Sequence, residues 1–181
     1  MIPAAYLPGT PAAPLPSSPS VPAAPVAAGA DGDPERTPPQ NLEIPDLGLS
    51  MPVQAVGVRA DGQMDVPENP AVVGWYRFGS GPLDPGATVL AAHVDSRRFG
   101  IGAFARLSHL LPGAEIRIAT ASGVFRYRVE RLETIPKTDL IPALVFDRSG
   151  PARLHVLTCG GDFQRGRGWD SNVLVIATRL G

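Results

Sequence analysis

Proline is distributed very unevenly along this chain. Eleven of its 21 prolines fall within residues 1–40. Each proline removes a backbone hydrogen-bond donor and is excluded from the interior of helices and central strands. Residues 1–40 also show no apolar pattern with the period of a helix or a strand. We therefore predict a disordered Pro/Ala-rich spacer over residues 1–40 and one folded domain over residues 41–181.

The folded part shows short apolar, β-branched segments separated by turns. The predicted strands lie within 44–58, 64–66, 72–78, 88–94, 115–120, 124–134, 152–158 and 173–179. Residues 104–111 predict a short helix or 3-10 segment, which Pro112 and Gly113 end. Segments at this spacing, with almost no long helix, predict an all-β domain that forms a closed or nearly closed barrel.

The chain has one cysteine, Cys159. A single cysteine excludes an intrachain disulfide framework and any multi-cysteine zinc or iron–sulfur site. Cys159 follows the predicted strand 152–158 and precedes Gly160 and Gly161, and glycines let another backbone come close. From these residues alone two interpretations stay equally open, an inert thiol in the core and a reactive nucleophile.

His93 ends another predicted apolar strand. Val89 and Ala91 share its face by the two-residue period of a strand, and their small size leaves space for a ligand. A lone histidine is more often structural, but a histidine and a cysteine at the ends of two strands can meet at the rim of a barrel. Such a pair supplies a nucleophile and a proton shuttle for acyl transfer.

The other histidines fit this role less well. His155 lies four residues before Cys159 on the same strand, ~13 Å away by strand rise alone. His109 lies on the predicted short helix, where a surface or packing role is expected.

Acyl transfer also needs a group that stabilises the oxyanion. Arg165 and Arg167 follow Cys159 in a glycine-rich loop and are candidates for this role. The alternative is that both are solvated loop arginines. Backbone N–H groups around Gly160 could share the role.

The composition argues against other classes of function. A net charge of −1 and only 11 aromatic residues (6 Phe, 3 Tyr and 2 Trp) disfavour a nucleic-acid-binding barrel. Three scattered histidines and one cysteine give no metal-ligand spacing, so we expect no metal and no other cofactor. No stretch approaches the ~20 apolar residues of a membrane span, and no secretory signal is evident.

Several of these segments resemble the motifs of sortases, most closely the actinobacterial class F type. The strongest are Ala-Ala-His-Val-Asp-Ser at 91–96, Phe-Ala-Arg-Leu at 104–107, Leu-Thr-Cys-Gly-Gly-Asp-Phe at 157–163 and Asn-Val-Leu-Val-Ile-Ala at 172–177. A threonine–cysteine strand end with an upstream His-Val-Asp is a specific combination. The resemblance extends in order from about Leu42 to Leu180.

The resemblance implies an eight-stranded β-barrel and a cysteine transpeptidase with a His–Cys–Arg site. Such an enzyme cleaves an LPXTG-like sorting signal of secreted proteins through a thioacyl intermediate, which an amine of a cell-wall precursor resolves. It implies His93 as the acid/base and Cys159 as the nucleophile, with Thr158, Gly160 and Asn172 beside the substrate.

This chain departs from the class F pattern at one position. Class F sequences place an arginine about two residues before the asparagine that opens the last strand, and that residue here is Asp170. Arg165 matches an arginine that is frequent in the family's loop, whereas Arg167 lies nearer the strand. Both therefore stay candidates for the catalytic arginine.

The Pro-rich spacer suggests an enzyme held at the extracellular face of the plasma membrane of a Gram-positive cell. We expect its membrane anchor to lie outside this sequence. Two alternatives stay open: a cysteine endopeptidase that hydrolyses the same signal, and a non-catalytic extracellular binding domain on a stalk. Within the spacer, Leu7–Thr10 (Leu-Pro-Gly-Thr) resembles the start of a sorting signal, and chance in a Pro-rich tract explains it best.

Overall fold

The computed structural model describes residues 37–181, so most of the predicted spacer, residues 1–36, lies outside the described residues. The strands are β1 Pro39–Ile44, β2 Leu49–Val56, β3 Val73–Tyr76, β4 Ala87–Ala91, β5 Asp95–Ser96, β6 Gly100–Ile101, β7 Glu115–Thr120, β8 Gly123–Pro136, β9 Arg153–Gln164 and β10 Gly168–Arg179. The short helices are the 3-10 segments Pro45–Leu47 and Ala103–His109 and the α-helix Pro142–Val145. No helix within residues 37–181 is long and apolar enough to cross a membrane.

Eight of the strands close into a barrel in the order β1-β2-β3-β4-β9-β10-β8-β7. Strands β2 and β3 pair in parallel, as do β4 and β9, and the other neighbours are antiparallel. Strands β5 and β6 form a separate small hairpin. The predicted eight-stranded closed barrel is confirmed, and closure leaves the sheet without an open edge.

Strand β9 is apolar on both faces because both faces are covered. One face contributes to the barrel interior through Leu154 and Val156. The other face carries Leu157, which packs in an outer cluster with Val145 and Phe146 from the segment that crosses over β9. A central strand that is covered on both sides needs a nearly continuous apolar sequence. The polar and reactive groups of its buried stretch, His155, Thr158 and Cys159, are therefore held in a dry environment.

Several elements differ from the predicted ones, and residues 64–66 form no strand but only an isolated bridge between Met64 and Val58. Strand β9 runs on to Gln164, so Cys159 lies within a strand and not at its end. Strand β4 stops at Ala91, two residues before His93, and β1 begins at Pro39, inside the predicted spacer. The extension of β9 comes from its pairing with β10, since its last residues are exposed and show no apolar alternation that a sequence pattern could detect.

Candidate active site

The parallel pairing of β4 and β9 brings the segments with His93 and Cys159 together. Their register pairs Ala91 with Leu157, and continuing it by two residues pairs His93 with Cys159. The Thr158 hydroxyl donates to the carbonyl oxygen of Ala92 at 2.8 Å, which holds the two chains side by side one residue before that point. Because adjacent strands lie ~4.8 Å apart, the backbones of His93 and Cys159 are neighbours.

Cys159 is held in an apolar environment. Its side chain is 1% exposed, and it lines a cavity of about 530 Å³ together with Val94, Phe104 and Trp169. Burial raises the pKa of the Cys159 thiol to about 11, while the positive charge of Lys137 lowers this pKa and the carboxylate of Asp95 raises it. The thiol is therefore neutral at pH 7.

His93 is half-buried and its imidazole faces a different cavity. This second cavity has a volume of about 780 Å³ and is lined by Arg59, Val66 and Glu68 among others. Burial lowers the pKa of the imidazole, the charge of Arg59 lowers it further, and Asp95 opposes both. The imidazole is therefore neutral at pH 7, so the resting histidine and cysteine are not an ion pair.

This neutral resting state predicts a steep pH dependence for alkylation of Cys159. Iodoacetamide reacts with the thiolate, and for a thiol pKa of about 11 the thiolate fraction rises about tenfold per pH unit below that pKa. We expect the rate of carboxamidomethylation of the folded chain, followed by mass spectrometry, to rise about a hundredfold from pH 7 to pH 9. A plateau beginning near pH 7 would show that the thiolate is already formed at rest.

The three residues predicted to lie beside the substrate are all neighbours of Cys159 in the sheet. Thr158 is buried, and its hydroxyl is bonded to the backbone beside β4. Gly160 lines the cavity next to Cys159, and a Cβ there would lie 2.5 Å from a methyl carbon of Val173. Asn172 pairs with Cys159 across β9 and β10. Its side chain is 2% exposed, and its Oδ1 has no hydrogen-bond partner within residues 37–181.

The structure does not bring the two candidate arginines to Cys159. Arg165 and Arg167 are exposed in the turn at the tip of the β9–β10 hairpin. The hairpin's last pair joins Gln164 to Gly168, five residues beyond Cys159, which corresponds to ~17 Å of extended strand.

Asp170 occupies the position where the class F pattern has an arginine. It lies at an irregularity in the β9–β10 pairing, between Trp169 and Ser171. Its Oδ1 accepts hydrogen bonds from the Ser171 hydroxyl at 2.8 Å and from the Asp162 backbone N–H at 3.0 Å. These two bonds lower the pKa of Asp170, so it is a carboxylate at neutral pH. Position 170 therefore carries a negative charge, and its carboxylate accepts hydrogen bonds within the hairpin.

The close approach of Gly161 to Asp170 predicts that position 161 tolerates no side chain. The backbone of Gly161 has φ +80°, and a Cβ there would lie 2.2 Å from Oδ1 of Asp170. We expect Gly161→Ala to lower the free energy of unfolding by about 3 kcal/mol, from backbone strain and the clash together. Gly166→Ala is the matched control, because it has φ +86° with nothing within 4 Å of its Cβ, and it should cost about 1 kcal/mol. Equal losses of unfolding free energy in the two variants, measured by urea denaturation, would contradict a role for the clash.

One hydrogen bond joins the β9–β10 hairpin to the segment that follows His93, and one ring contact lies within the hairpin. Trp169 Nε1 donates to Oδ1 of Asp95 at 2.9 Å. The Phe163 ring packs edge-on against Trp169, with ring centroids 5.5 Å apart. These residues form one wall of the cavity beside Cys159. Asp95 belongs to the His-Val-Asp motif, but no sequence pattern pairs it with a tryptophan 74 positions away.

The remaining histidines have other surroundings. His155 is buried, and its Nδ1 lies 2.7 Å from the carbonyl oxygen of Val145. It thus ties the crossing segment to the outer face of β9. His109 is exposed at the end of its 3-10 helix.

Comparisons with known proteins agree with this architecture. Among solved structures, sortase C1 of Streptococcus agalactiae in complex with MTSET has a TM-score of 0.60 and 21% sequence identity, covering 78% of this chain and 68% of that chain. Sortase C1 of Streptococcus suis has a TM-score of 0.59 and 21% identity, covering 81% of this chain and 74% of that one. A mutant of sortase C-1 from S. pneumoniae has a TM-score of 0.60 and 19% identity, covering 78% of this chain and 66% of that one.

At these identities the structural likeness shows the fold alone. A comparison with curated protein sequences finds no match to this chain. The sequence comparison that assigns a family is the model of the sortase domain, which matches residues 42–180. That span covers nearly the whole barrel with both His93 and Cys159, and the chain therefore belongs to the sortase family.

Proposed function

We propose that this chain is a cysteine transpeptidase that cleaves an LPXTG-like sorting signal of secreted proteins and joins the released carbonyl to a cell-wall amine. The observation that supports the proposal is the β4–β9 register, whose last pair, Ala91–Leu157, lies two residues before His93 and before the chain's one cysteine. Membership of the sortase family supports this class of reaction. The actinobacterial class F type is part of the proposal and rests on the motifs at 91–96 and 157–163.

The first half of the proposed reaction acylates Cys159. The thiol gives its proton to the imidazole of His93 while Sγ attacks the carbonyl carbon of the Thr–Gly bond. The C–N bond then breaks as the imidazolium returns that proton to the leaving glycine amine. Because the thiol pKa is raised and the imidazole pKa is lowered, the resting pair is neutral and proton transfer accompanies the attack.

The second half releases the product and regenerates the enzyme. The acceptor amine attacks the thioester carbonyl, and His93 takes the proton that the amine loses. The C–S bond breaks, and Cys159 is reprotonated as it leaves. Water in place of the amine would give a free carboxylate, which is the endopeptidase alternative. The acceptor therefore decides which of the two reactions is observed.

The proposed mechanism requires the imidazole to turn toward Cys159. His93 lines the larger cavity, whereas Cys159 lines the smaller one. Nδ1 of His93 is buried without a hydrogen-bond partner within residues 37–181, whereas the imidazole is hydrogen-bonded to the Val66 backbone, so the rotation breaks that one bond. Val94, the next residue, already lines the cavity of Cys159, and the turn is therefore local to one side chain.

The surroundings of Cys159 fit a peptide with apolar side chains. Ile101, Phe104 and Val173 line the cavity beside the thiol, and burial of an apolar side chain against them contributes about 1.5–3 kcal/mol. The orphaned Oδ1 of Asn172 offers an acceptor for a peptide N–H. In the same proposal the enzyme works at the extracellular face of the membrane, where sorting signals and cell-wall amines meet.

A second candidate function is a non-catalytic extracellular binding domain. The burial and raised pKa of Cys159 favour it, because an inert structural thiol would have both properties. A structural thiol is alkylated only after local or global unfolding, so a sorting peptide that binds elsewhere would leave its alkylation rate unchanged. A thiol at the base of a peptide site would instead be protected by saturating sorting peptide.

Incubation of the chain with a panel of LPXTG-like peptides and an amine acceptor tests the proposed function. We expect a thioacyl-enzyme adduct on Cys159 and a new amide product, both identified by mass spectrometry. Absence of both the adduct and the product across the panel would contradict the proposal and favour the binding domain.

A further inference from the structure

One cationic residue lies directly after strand β8, beside position 170. Lys137 is the chain's single lysine. Its backbone N–H donates to the carbonyl oxygen of Asp170 at 3.0 Å. This bond extends the β8–β10 pairing by one position beyond the Pro136–Ser171 pair. The ladder therefore places the backbone of Lys137 directly beside the residue that replaces the expected arginine.

The last residues of β8 lie in the same row of the sheet as Cys159. Strand β10 pairs Asn172 with Cys159 on one side and with Ile135 on the other, so the three form one row across the sheet. Ile135 packs against the outer apolar cluster, and Lys137 follows it by two positions, as the first residue of the turn after β8. From strand spacing and rise, the Cα atoms of Lys137 and Cys159 lie roughly 12 Å apart.

The charges around Cys159 differ in their effect on the thiol. Lys137 is half-buried, and its positive charge lowers the thiol pKa, whereas Asp95 raises it. The carboxylate of Asp170 is engaged by hydrogen bonds from the hairpin, and His93 is neutral at pH 7. Lys137 is thus a cation whose charge favours the thiolate.

We propose that the ammonium group of Lys137 supplies the positive charge that stabilises the Cys159 thiolate and the oxyanion formed during acylation. The lysine follows the end of β8, with β10 between it and Cys159, and its charge takes the part that an arginine at position 170 would otherwise play. The oxyanion step rests on the proposed transpeptidase function. The effect on the thiolate does not, because it is a property of the free enzyme.

Alkylation of Cys159 in matched charge variants tests the effect on the thiolate. We expect Lys137→Met to lower the iodoacetamide rate at pH 8 about fivefold and to move the pH profile upward. Lys137→Arg should restore the rate to within about twofold. Arg128→Met removes the same charge from an exposed position at the far end of β8, opposite Thr178, and should leave the rate unchanged. A folded Lys137→Met variant with the wild-type pH profile would overturn the proposal.

Single-turnover acylation by a sorting peptide tests the effect on the oxyanion. We expect Lys137→Met to slow acylation about tenfold to a hundredfold, below the loss for an oxyanion donor in direct contact. The proposal would be overturned if Lys137→Met acylates at the wild-type rate while the Arg165→Ala/Arg167→Ala double variant loses acylation. That result would show that the hairpin arginines supply the positive charge for the oxyanion. If the wild-type chain forms no acyl-enzyme with any peptide, the transpeptidase function fails, and the alkylation comparison still decides the role of Lys137.

Discussion

Replacing Cys159 with alanine is expected to abolish both acyl-enzyme formation and transpeptidation. The chain has no second thiol, so no other group can form the thioester. Removal of a nucleophile typically costs at least about 10⁴-fold in turnover. The measurement is product formation from the most reactive sorting peptide of the panel, with and without an amine acceptor. Turnover by Cys159→Ala at the wild-type rate would exclude the proposed reaction.

A matched control separates loss of the nucleophile from loss of packing. Cys159 is 1% exposed and Val156, three residues earlier on β9, is fully buried. Val156→Ala therefore removes buried volume from the same strand and leaves the sulfur in place, and it should keep at least about a tenth of the activity. Product analysis decides between the two peptide-cleaving reactions, since an amide identifies transfer to the amine and a carboxylate alone identifies an endopeptidase.

Replacing His93 with glutamine is expected to lower the acylation rate by about 10²–10⁴-fold, the usual loss when a general acid–base group is removed. Glutamine keeps a polar side chain of similar length but cannot accept the thiol proton. The measurement is the single-turnover rate of acyl-enzyme formation between pH 6 and pH 9. A His93→Gln variant that acylates at the wild-type rate would contradict the assignment.

His155 provides the control for this second experiment. It is a buried histidine on the same strand as Cys159, but its Nδ1 is bonded to the carbonyl oxygen of Val145. His155→Gln should lower the stability of the domain and leave the acylation rate of the folded fraction within about threefold of wild type. Equal losses of rate in the two variants would point to a shared structural effect and not to proton transfer by His93.

The local patterns predicted the fold class because they depend on neighbouring residues. The all-β domain, the hairpin of β7 and β8 around residues 121–123 and the 3-10 segment before Pro112 are all present in the structure. The extent of β9 was wrong, because pairing with β10 adds exposed residues to the strand. A strand that lacks apolar alternation is visible only through its hydrogen-bonded partner.

The candidate site was also predicted only in part from the sequence. The sequence singled out His93 and Cys159. Their catalytic roles stay predictions, which the Cys159→Ala and His93→Gln substitutions test. The pattern could not show that His93 lines a separate cavity, nor that Trp169 bonds to Asp95. Both depend on side-chain directions in segments that are distant in sequence.

By itself the sequence determined the two-residue alternation of the strands and the turns between them, and it predicted His93 and Cys159 as the pair for acyl transfer. These features arise from the chemistry of adjacent residues. Only the tertiary structure decided the electrostatic surroundings of the thiol. Lys137 and Cys159 lie on opposite sides of β10, and only the pairing of β8 and β9 with β10 brings them near each other. The raised pKa of Cys159 likewise comes from burial, which exists only once both faces of β9 are covered.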